Sequence, residues 1–526
     1  MYDTIILGAG SAGCVLANRL SADPARKVLV LEAGQAAPPA SDIPSDWVTM
    51  FNTSADWGFH TVAQAGCRGR RIFWPRGRMV GGSGALNAMI YMRGLPSDYE
   101  GWEAMGCPGW SWADVLPVFR MSEDNRRLGN DPLHGAGGLL HISDPAHLDP
   151  GEHLWLAAAQ AAGYPANADF NGASQEGVGC FQFFIKNGER WGTAKSYLRP
   201  ALERPNLSVK TGVRITRILV ENGRAVGVTY LDKGQPGMAH ASGEIVLSSG
   251  AIGSPQLLLL SGIGPADELK EVGVDPVHDL PGVGKDLQDH INIPITFSAN
   301  CRIGIGALTD EDWGTSLRQW QEDRSGLRTS AWVAASAHVR TRPDVEPDLQ
   351  LYGALSSHRD YARFLHSGSG VTFHSTLQRP NSRGEIRLHS ADPIEAPLID
   401  PRYFSSDTSG TDLATLVEGV RISRRIAAQH PLAEVLSGEL PPSVECDSDA
   451  DIAHYVRGHC TTLYHPSSSC RMGTDAMAVV DPATLKVRGL EGLRVADASV
   501  MPRMVSGNLN APTIMIAERA AQMILG

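Results

Sequence analysis

Gly8-Ala9-Gly10-Ser11-Ala12-Gly13 stands between two short apolar runs, residues 4–7 and Val28–Leu31, and no other feature restricts the fold of this chain as strongly. An apolar run without polar alternation reads as a strand buried on both faces. The segment between, from about Ser11 to Leu20, is predicted to be a helix. In that setting each glycine meets a physical need. Gly8 permits the tight turn, Gly10 lets backbone approach a pyrophosphate, and Gly13 allows helix and strand to touch. The helix start offers free N–H groups and a positive dipole to the anion. Glu32 ends the second run, about 20 residues on, where an acid can hydrogen-bond ribose hydroxyls. The whole unit predicts a dinucleotide site, without deciding between FAD and NAD.

A chain of 526 residues exceeds what one hydrophobic core serves, so at least two domains are expected. Its 33 prolines and 56 glycines are spread throughout, with no repeat and no single linker, so the domains are expected to interleave. Leu207–Lys210 reads as a strand, and residues 218–220 and 226–230 as a hairpin around Asn222-Gly223. Residues 244–247 read as a strand followed after Gly250 by a helix, residues 493–496 as another strand, and residues 512–524 as a helix. These pieces suggest one nucleotide-binding domain to which the chain returns, over residues 1–150, 201–290 and 457–526. Residues 151–200 and 291–456 carry no phosphate motif and are expected to cover the substrate.

The formal net charge is -11 and there is no Lys/Arg run, which argues against nucleic-acid binding. Apolar runs such as residues 257–260 are far too short for a membrane span, and no charged region with a cleavage site precedes the first strand. The eight cysteines form no CxxC pair, so a reduced, cytoplasmic setting is expected. His454, His459, Cys460 and His465 cluster without the paired spacing of a zinc site, and no metal is expected. Ser467 to Ser469 lacks the GxSxG elbow of a serine hydrolase. Asp289-His290, in the block 282–290, is expected to cap a turn of the nucleotide domain.

Two further glycine stretches bear on the cofactor. Residues 75–87, from Pro75-Arg76-Gly77-Arg78 through Gly81-Gly82-Ser83-Gly84 to Asn87, allow backbone to lie against a flat ring or phosphate. Residues 250–264 read strand–turn–helix–turn, and on their own as a packed helix. Both stretches resemble the two signatures of the glucose–methanol–choline (GMC) oxidoreductase family, with Asn87, Tyr91, Gly94 and Asp98 after the first. The resemblance extends to residues 282–290 and 464–526, and within the family it is nearest to bacterial choline-dehydrogenase-like alcohol dehydrogenases.

The resemblance implies an α/β chain, α+β overall: a Rossmann-type FAD-binding domain with a discontinuous substrate domain on a mixed or antiparallel sheet. It implies FAD contacts from Gly8, Gly10, Ser11, Ala12 and Gly13, and from Glu32 and Ala33. Gly81, Gly82, Ser83 and Asn87 would lie along the pyrophosphate and flavin, with Arg78, Val80, Ala88 and Met89 as further cofactor contacts. Val213 falls at the adenine and Asp497 at the ribityl–pyrophosphate region, and Ala498, Asn510, Ala511 and Pro512 are also implied to contact the cofactor. Leu86 occupies the position where some members bear the histidine that attaches FAD covalently, so non-covalent FAD is expected.

Oxidising an alcohol takes a hydroxyl proton and a hydride from one carbon, and FAD accepts the hydride. Histidine, with an ordinary pKa of about 6.5, suits the base. The block Tyr464-His465-Pro466 resembles the family's catalytic segment and puts His465 in that role, and the block 507–513 puts Asn510 opposite as the group holding the oxygen. Tyr464, Ser375 and Leu377 are expected to line the substrate pocket. The expected activity is oxidation of a primary alcohol, with an aromatic or medium aliphatic one favoured over choline. Oxygen, a quinone or another compound would take the electrons. The alternative within the same fold is a non-redox or light-driven enzyme, of the hydroxynitrile lyase or fatty-acid photodecarboxylase type.

Overall fold

The two apolar runs become adjacent parallel strands. In the computed structural model, which describes residues 1–359, 364–365 and 368–526, Tyr2–Leu7 lies between Val28–Leu31 and the end of Gln235–Leu247. Leu207–Lys210 extends the sheet beyond Val28–Leu31, and Leu493–Val495 pairs with the far side of Gln235–Leu247. Ile5, Ile6, Leu7, Val28, Val30 and Leu31 have no exposed surface, the burial on both faces that a non-alternating run implies.

Gln235–Leu247 is longer than its apolar end suggests. Its last residues run parallel to Tyr2–Leu7, while residues 235–240 pair antiparallel with Arg224–Asp232, which pairs in turn with Val213–Glu221. The hairpin turn falls at Asn222-Gly223, both in the left-handed region at φ 49° and 78°. The helix Ser11–Leu20 packs against the last helix, Asn510–Leu525, and Arg19 and Glu518 form a two-pronged ion pair between them at 2.8 Å. The end of the chain therefore closes over the first glycine turn.

The second sheet has seven strands in antiparallel pairing. In order they are Leu436–Glu439, Ile291–Ala299, Gly370–Leu377, Leu349–Ala354, Ala335–Val339 and Gly177–Cys180, with Thr461–Thr462 also on Ile291–Ala299. One face is apolar: Ile293, Ile295, Phe373, Leu349 and Leu351 join a core with the helices Pro150–Ala161 and Thr411–Ala427. Alternation puts Asn292, His374, Thr376, Gln350 and Tyr352 on the other face. Among the described residues no helix is long and apolar enough to cross a membrane.

The glycine turn admits no side chain at its third position. A Cβ on Gly13 would lie 1.9 Å from the carbonyl oxygen of Gly8, a backbone atom that cannot swing aside. Gly13→Ala should therefore cost about 1–3 kcal/mol or more of stability by overpacking, seen as a lowered unfolding midpoint and reduced flavin retention. Unchanged melting would mean that helix and strand do not touch at this point.

Candidate functional site

One cavity runs from the start of the helix Ser11–Leu20 to His465. At the first end lie Gly8, Gly10, Ser11, Ala12, Glu32 and Ala33. Among the described residues no side chain caps the helix, which leaves its first N–H groups for an anion. Glu32 accepts the N–H of Ala9 and of Gly34, each at 2.7 Å. Burial raises its pKa, against the pull of those backbone donors and of Arg78. Gly82, Ser83, Asn87, Ala88 and Met89 line the middle from one side, and Asp497 and Ala498 from the other. Asp497 accepts from the N–H of Gly250 at 2.8 Å and from Ser254 Oγ at 2.6 Å. It thereby ties the C-terminal pass to the helix Gly250–Leu260, whose first turn also lines the cavity.

These residues fit a dinucleotide. A Cβ on Gly82 would sit 2.8 Å from the Cα of Gly10, so the signature loop and the first turn meet backbone to backbone. Beneath that loop Arg190 is buried, donating to Ser41 O, Gly84 O and Asn87 Oδ1, while its Nη2 has no partner among the described residues. Burial lowers its pKa to about 9, with Asp42 opposing. A buried guanidinium without a carboxylate in contact is costly unless an anion is brought near, and a pyrophosphate is such an anion.

At the other end His465 follows Tyr464, which sits at φ 67°, a strained conformation for a non-glycine residue. Two contacts hold Tyr464 there. Arg76 donates to its carbonyl at 2.5 Å, and its own N–H donates to Thr462 Oγ1 at 2.6 Å. The N–H of His465 donates to Asp289 at 2.8 Å, and Tyr403 donates to the other oxygen of the same carboxylate. Burial raises Asp289 to about 6.

The imidazole of His465 meets that of His290, Nδ1 to Nδ1, at 2.8 Å. His290 Nε2 is 3.1 Å from the carbonyl oxygen of Gln378. The carbonyls of Gln378 and Val505 both engage His290; the tautomer with its proton on Nε2 satisfies Gln378 and leaves Nδ1 to His465. Burial holds its pKa near 3, so it is neutral and its Nδ1 accepts. His465 must then donate from Nδ1, which leaves its Nε2 bare and able to take a proton. Burial first, then His290 and Arg76, hold the pKa of His465 well below 6.5.

The bare Nε2 faces Asn508, whose Nδ2 is 3.3 Å away. Asn510, expected in that place, is turned elsewhere: its Oδ1 accepts from Ser11 Oγ at 2.7 Å, at the cofactor end. The physical reason lies in the backbone. Asn510 begins the last helix, while Asn508 belongs to the turn before it and reaches the second sheet.

Ser375 and Leu377 also depart from expectation. Strand alternation points them away from the cavity, with Ser375 Oγ donating to Gly419 O at 3.0 Å and Leu377 in the apolar core. His374, beside Ser375 in the strand, lines the cavity, as does Tyr464. Asp289 and His290 hold the base segment instead of capping a turn. Arg78, Val80, Gly81, Ala511 and Pro512 lie behind the cavity wall, with Arg78 over the ring of Trp57. Val213 is buried with its N–H on Glu32 O at 3.0 Å, while Arg214 and Ile215 face inward. Among the described residues no cluster could hold a metal ion; Cys460 lies instead against Cys67, with sulfurs 3.4 Å apart.

Comparison with known proteins gives a consistent picture. The two family models described as GMC oxidoreductase match residues 2–292 and 380–517. The chain is 43% identical to an alcohol dehydrogenase [acceptor] of Pseudomonas putida, over 100% of this chain and 96% of that one. It is 42% identical to the mitochondrial choline dehydrogenase of Homo sapiens, over 100% of this chain and 90% of that one. The crystal structure of pyridoxine 4-oxidase from Mesorbium loti superposes with a TM-score of 0.90 at 32% identity, covering 99% of each chain.

The separate engagements of the two asparagines lead to separable outcomes. Asn508→Ala should keep its flavin yet reduce it about 10²-fold more slowly, the usual worth of one donor to a developing oxyanion. Asn510→Ala should instead weaken flavin retention, with the reduction rate of loaded enzyme much less affected. Flavin content and anaerobic stopped-flow reduction of both variants check this; the reverse pattern would restore Asn510 to the base.

Proposed function

For a chain that belongs to the GMC oxidoreductase family, we propose oxidation of a primary alcohol to the aldehyde, with FAD held non-covalently, His465 as general base and Asn508 as the group that holds the substrate oxygen. The chain is an FAD-dependent oxidoreductase acting on CH–OH donors, like its alcohol and choline dehydrogenase relatives. When bound, FAD supplies the acceptor for the hydride that leaves the substrate carbon. Helix N-terminus, Glu32, Asp497 and the 82–89 loop would hold it. Leu86, buried at the cavity wall, has no atom able to bond to a flavin.

One observation carries the reading: Nε2 of His465 and Nδ2 of Asn508 converge within 3.3 Å inside a cavity continuous with the dinucleotide end. An alcohol oxygen between them would donate its proton to Nε2 and accept from Nδ2. As the hydride departs, the proton passes to His465 and negative charge on oxygen is stabilised by Asn508. Trp47, Phe51, Trp332, Tyr352 and Tyr464 line the substrate end; such rings suit the aromatic or medium aliphatic alcohol proposed, and their faces would also receive a quaternary ammonium such as that of choline. The same base with its oxygen partner weighs against a light-driven decarboxylase, and bleaching of the flavin by alcohol in the dark separates alcohol oxidation from a lyase as well. Oxygen or a quinone is the class of acceptor proposed. The eight cysteines, all free of disulfides, accord with a reducing, cytoplasmic compartment.

Four outcomes follow for the loaded enzyme. Acid or heat denaturation should release FAD into the supernatant; flavin that stays with the precipitated chain would contradict non-covalent binding. A panel of alcohols, run with oxygen and with an artificial acceptor, should reduce the flavin through His465. His465→Ala should retain FAD and lose about 10²- to 10⁴-fold in reduction rate. Because the folded pKa of His465 is depressed, its base form persists as pH falls. kcat/KM should therefore be flat across neutrality and decline only well below pH 6.5. A limb at neutral pH, or near-normal reduction by His465→Ala, would remove His465 from the role.

A further inference from the structure

Asn292, Thr376, Gln350 and His338 are paired in register across four adjacent strands and project from the face that meets the cavity. Within that row Gln350 is 1% exposed, and its Nε2 donates to Oδ1 of Asn508 at 3.2 Å. A side-chain amide has one donor end and one acceptor end of nearly equal shape, so its neighbours decide which end points where. Asn508 has its oxygen engaged by Gln350 and its nitrogen toward Nε2 of His465. Were it reversed, its oxygen would oppose both the bare nitrogen and a developing alkoxide.

We propose that Gln350 is a positioning residue for alcohol oxidation: by donating to Oδ1 it holds the Asn508 amide with Nδ2 aimed at His465 and the substrate oxygen. This rests on the reading of His465 and Asn508 given above. The other end of Gln350 supports it. Among the described residues its buried Oε1 has no partner, a cost that a merely space-filling side chain would not carry; the donor is what the position retains. An apolar residue of similar size would fill the same space and leave Asn508 free to turn.

Gln350→Glu tests this through pH. A protonated carboxyl can donate to Oδ1 as the amide does, whereas an ionised one only accepts and draws Nδ2 away from the site. Four histidines near Gln350 are held below their ordinary range. Burial holds His338, in the same row, and His290 near pKa 3, and holds His374, on the next row, and His465, beyond Asn508, well below the usual value.

The measurement is anaerobic stopped-flow flavin reduction at saturating alcohol, on FAD-loaded enzyme whose flavin content is determined first. Gln350→Glu should approach the parent rate in mild acid and fall about 10²-fold as pH rises through the introduced carboxyl's pKa, a descending limb the parent lacks. Gln350→Met should be slow at every pH with FAD and substrate affinity retained. A Gln350→Glu profile of the parent's shape, parent-rate reduction by Gln350→Met, or loss of FAD from both variants overturns the proposal. Asn508→Ala separates the two failures. If it reduces at the parent rate, the site reading fails; if it is slow and Gln350→Met is not, only the role of Gln350 fails.

Discussion

The contact between His290 and His465 sets what the rest of this structure has to accomplish. Two neutral imidazoles joined Nδ1 to Nδ1 form a pair with a direction, and the carbonyl of Gln378 chooses it. The consequence appears on the far side of the second ring, where Nε2 is left without a proton. Asn508 and Gln350 continue the same direction, so donors run from Gln350 through Asn508, His465 and His290 to Gln378. Such a chain draws on the turn before the last helix, the block 282–290, the segment after Thr461–Thr462 and two strands of the second sheet. Each comes from a different part of the sequence, and each must be seated before any tautomer is defined.

Burial is the condition that makes the pair neutral, and it imposes a demand elsewhere. His465 is enclosed with Arg76, itself buried and lowered to about 10 by desolvation while Asp289 and Asp56 oppose. The carboxylate of Asp289 offsets that guanidinium and simultaneously fixes the His465 backbone. Beneath the signature loop Arg190 meets backbone carbonyls and an amide oxygen, with Asp42 opposing the effect of its burial. The two guanidinium groups thus differ in setting: carboxylates oppose the desolvation of Arg76 beside His465, while Arg190 is held beneath the signature loop by oxygen acceptors.

The dinucleotide end is legible in the sequence because its chemistry is written locally. Turn, helix start, second strand and Glu32 lie within one short stretch, and each residue's part follows from its neighbours in the chain. The Asn222-Gly223 hairpin is legible for the same reason. The catalytic end is not, beyond His465 itself. Asn508 and Asn510 are chemically identical and two residues apart, and only the point at which the last helix begins separates their directions. Ser375 and Leu377 miss the cavity by one step of strand alternation. Gly370–Leu377 is buried on both faces, and a strand of that kind gives no phase from its sequence. Gln350 and His290 carry no motif of their own that names a role. Their meaning comes from register across strands and from a carbonyl far away in sequence.

Ser11 joins the two ends. Its hydroxyl donates to Asn510, so the residue that opens the anion-binding helix also fixes the start of the last helix, two residues after Asn508. The turn that carries Asn508, the amide proposed to hold the substrate oxygen, is therefore built on the wall of the proposed dinucleotide site. This coupling explains why two asparagines so close in sequence serve different ends of the cavity. Helix ends tend to fray, and the Ser11 bond to Asn510 anchors the first turn of the last helix two residues from Asn508. The amide of Asn508 itself is engaged from the second sheet, where Gln350 donates to its Oδ1, so the two ends of this short segment are held by different domains.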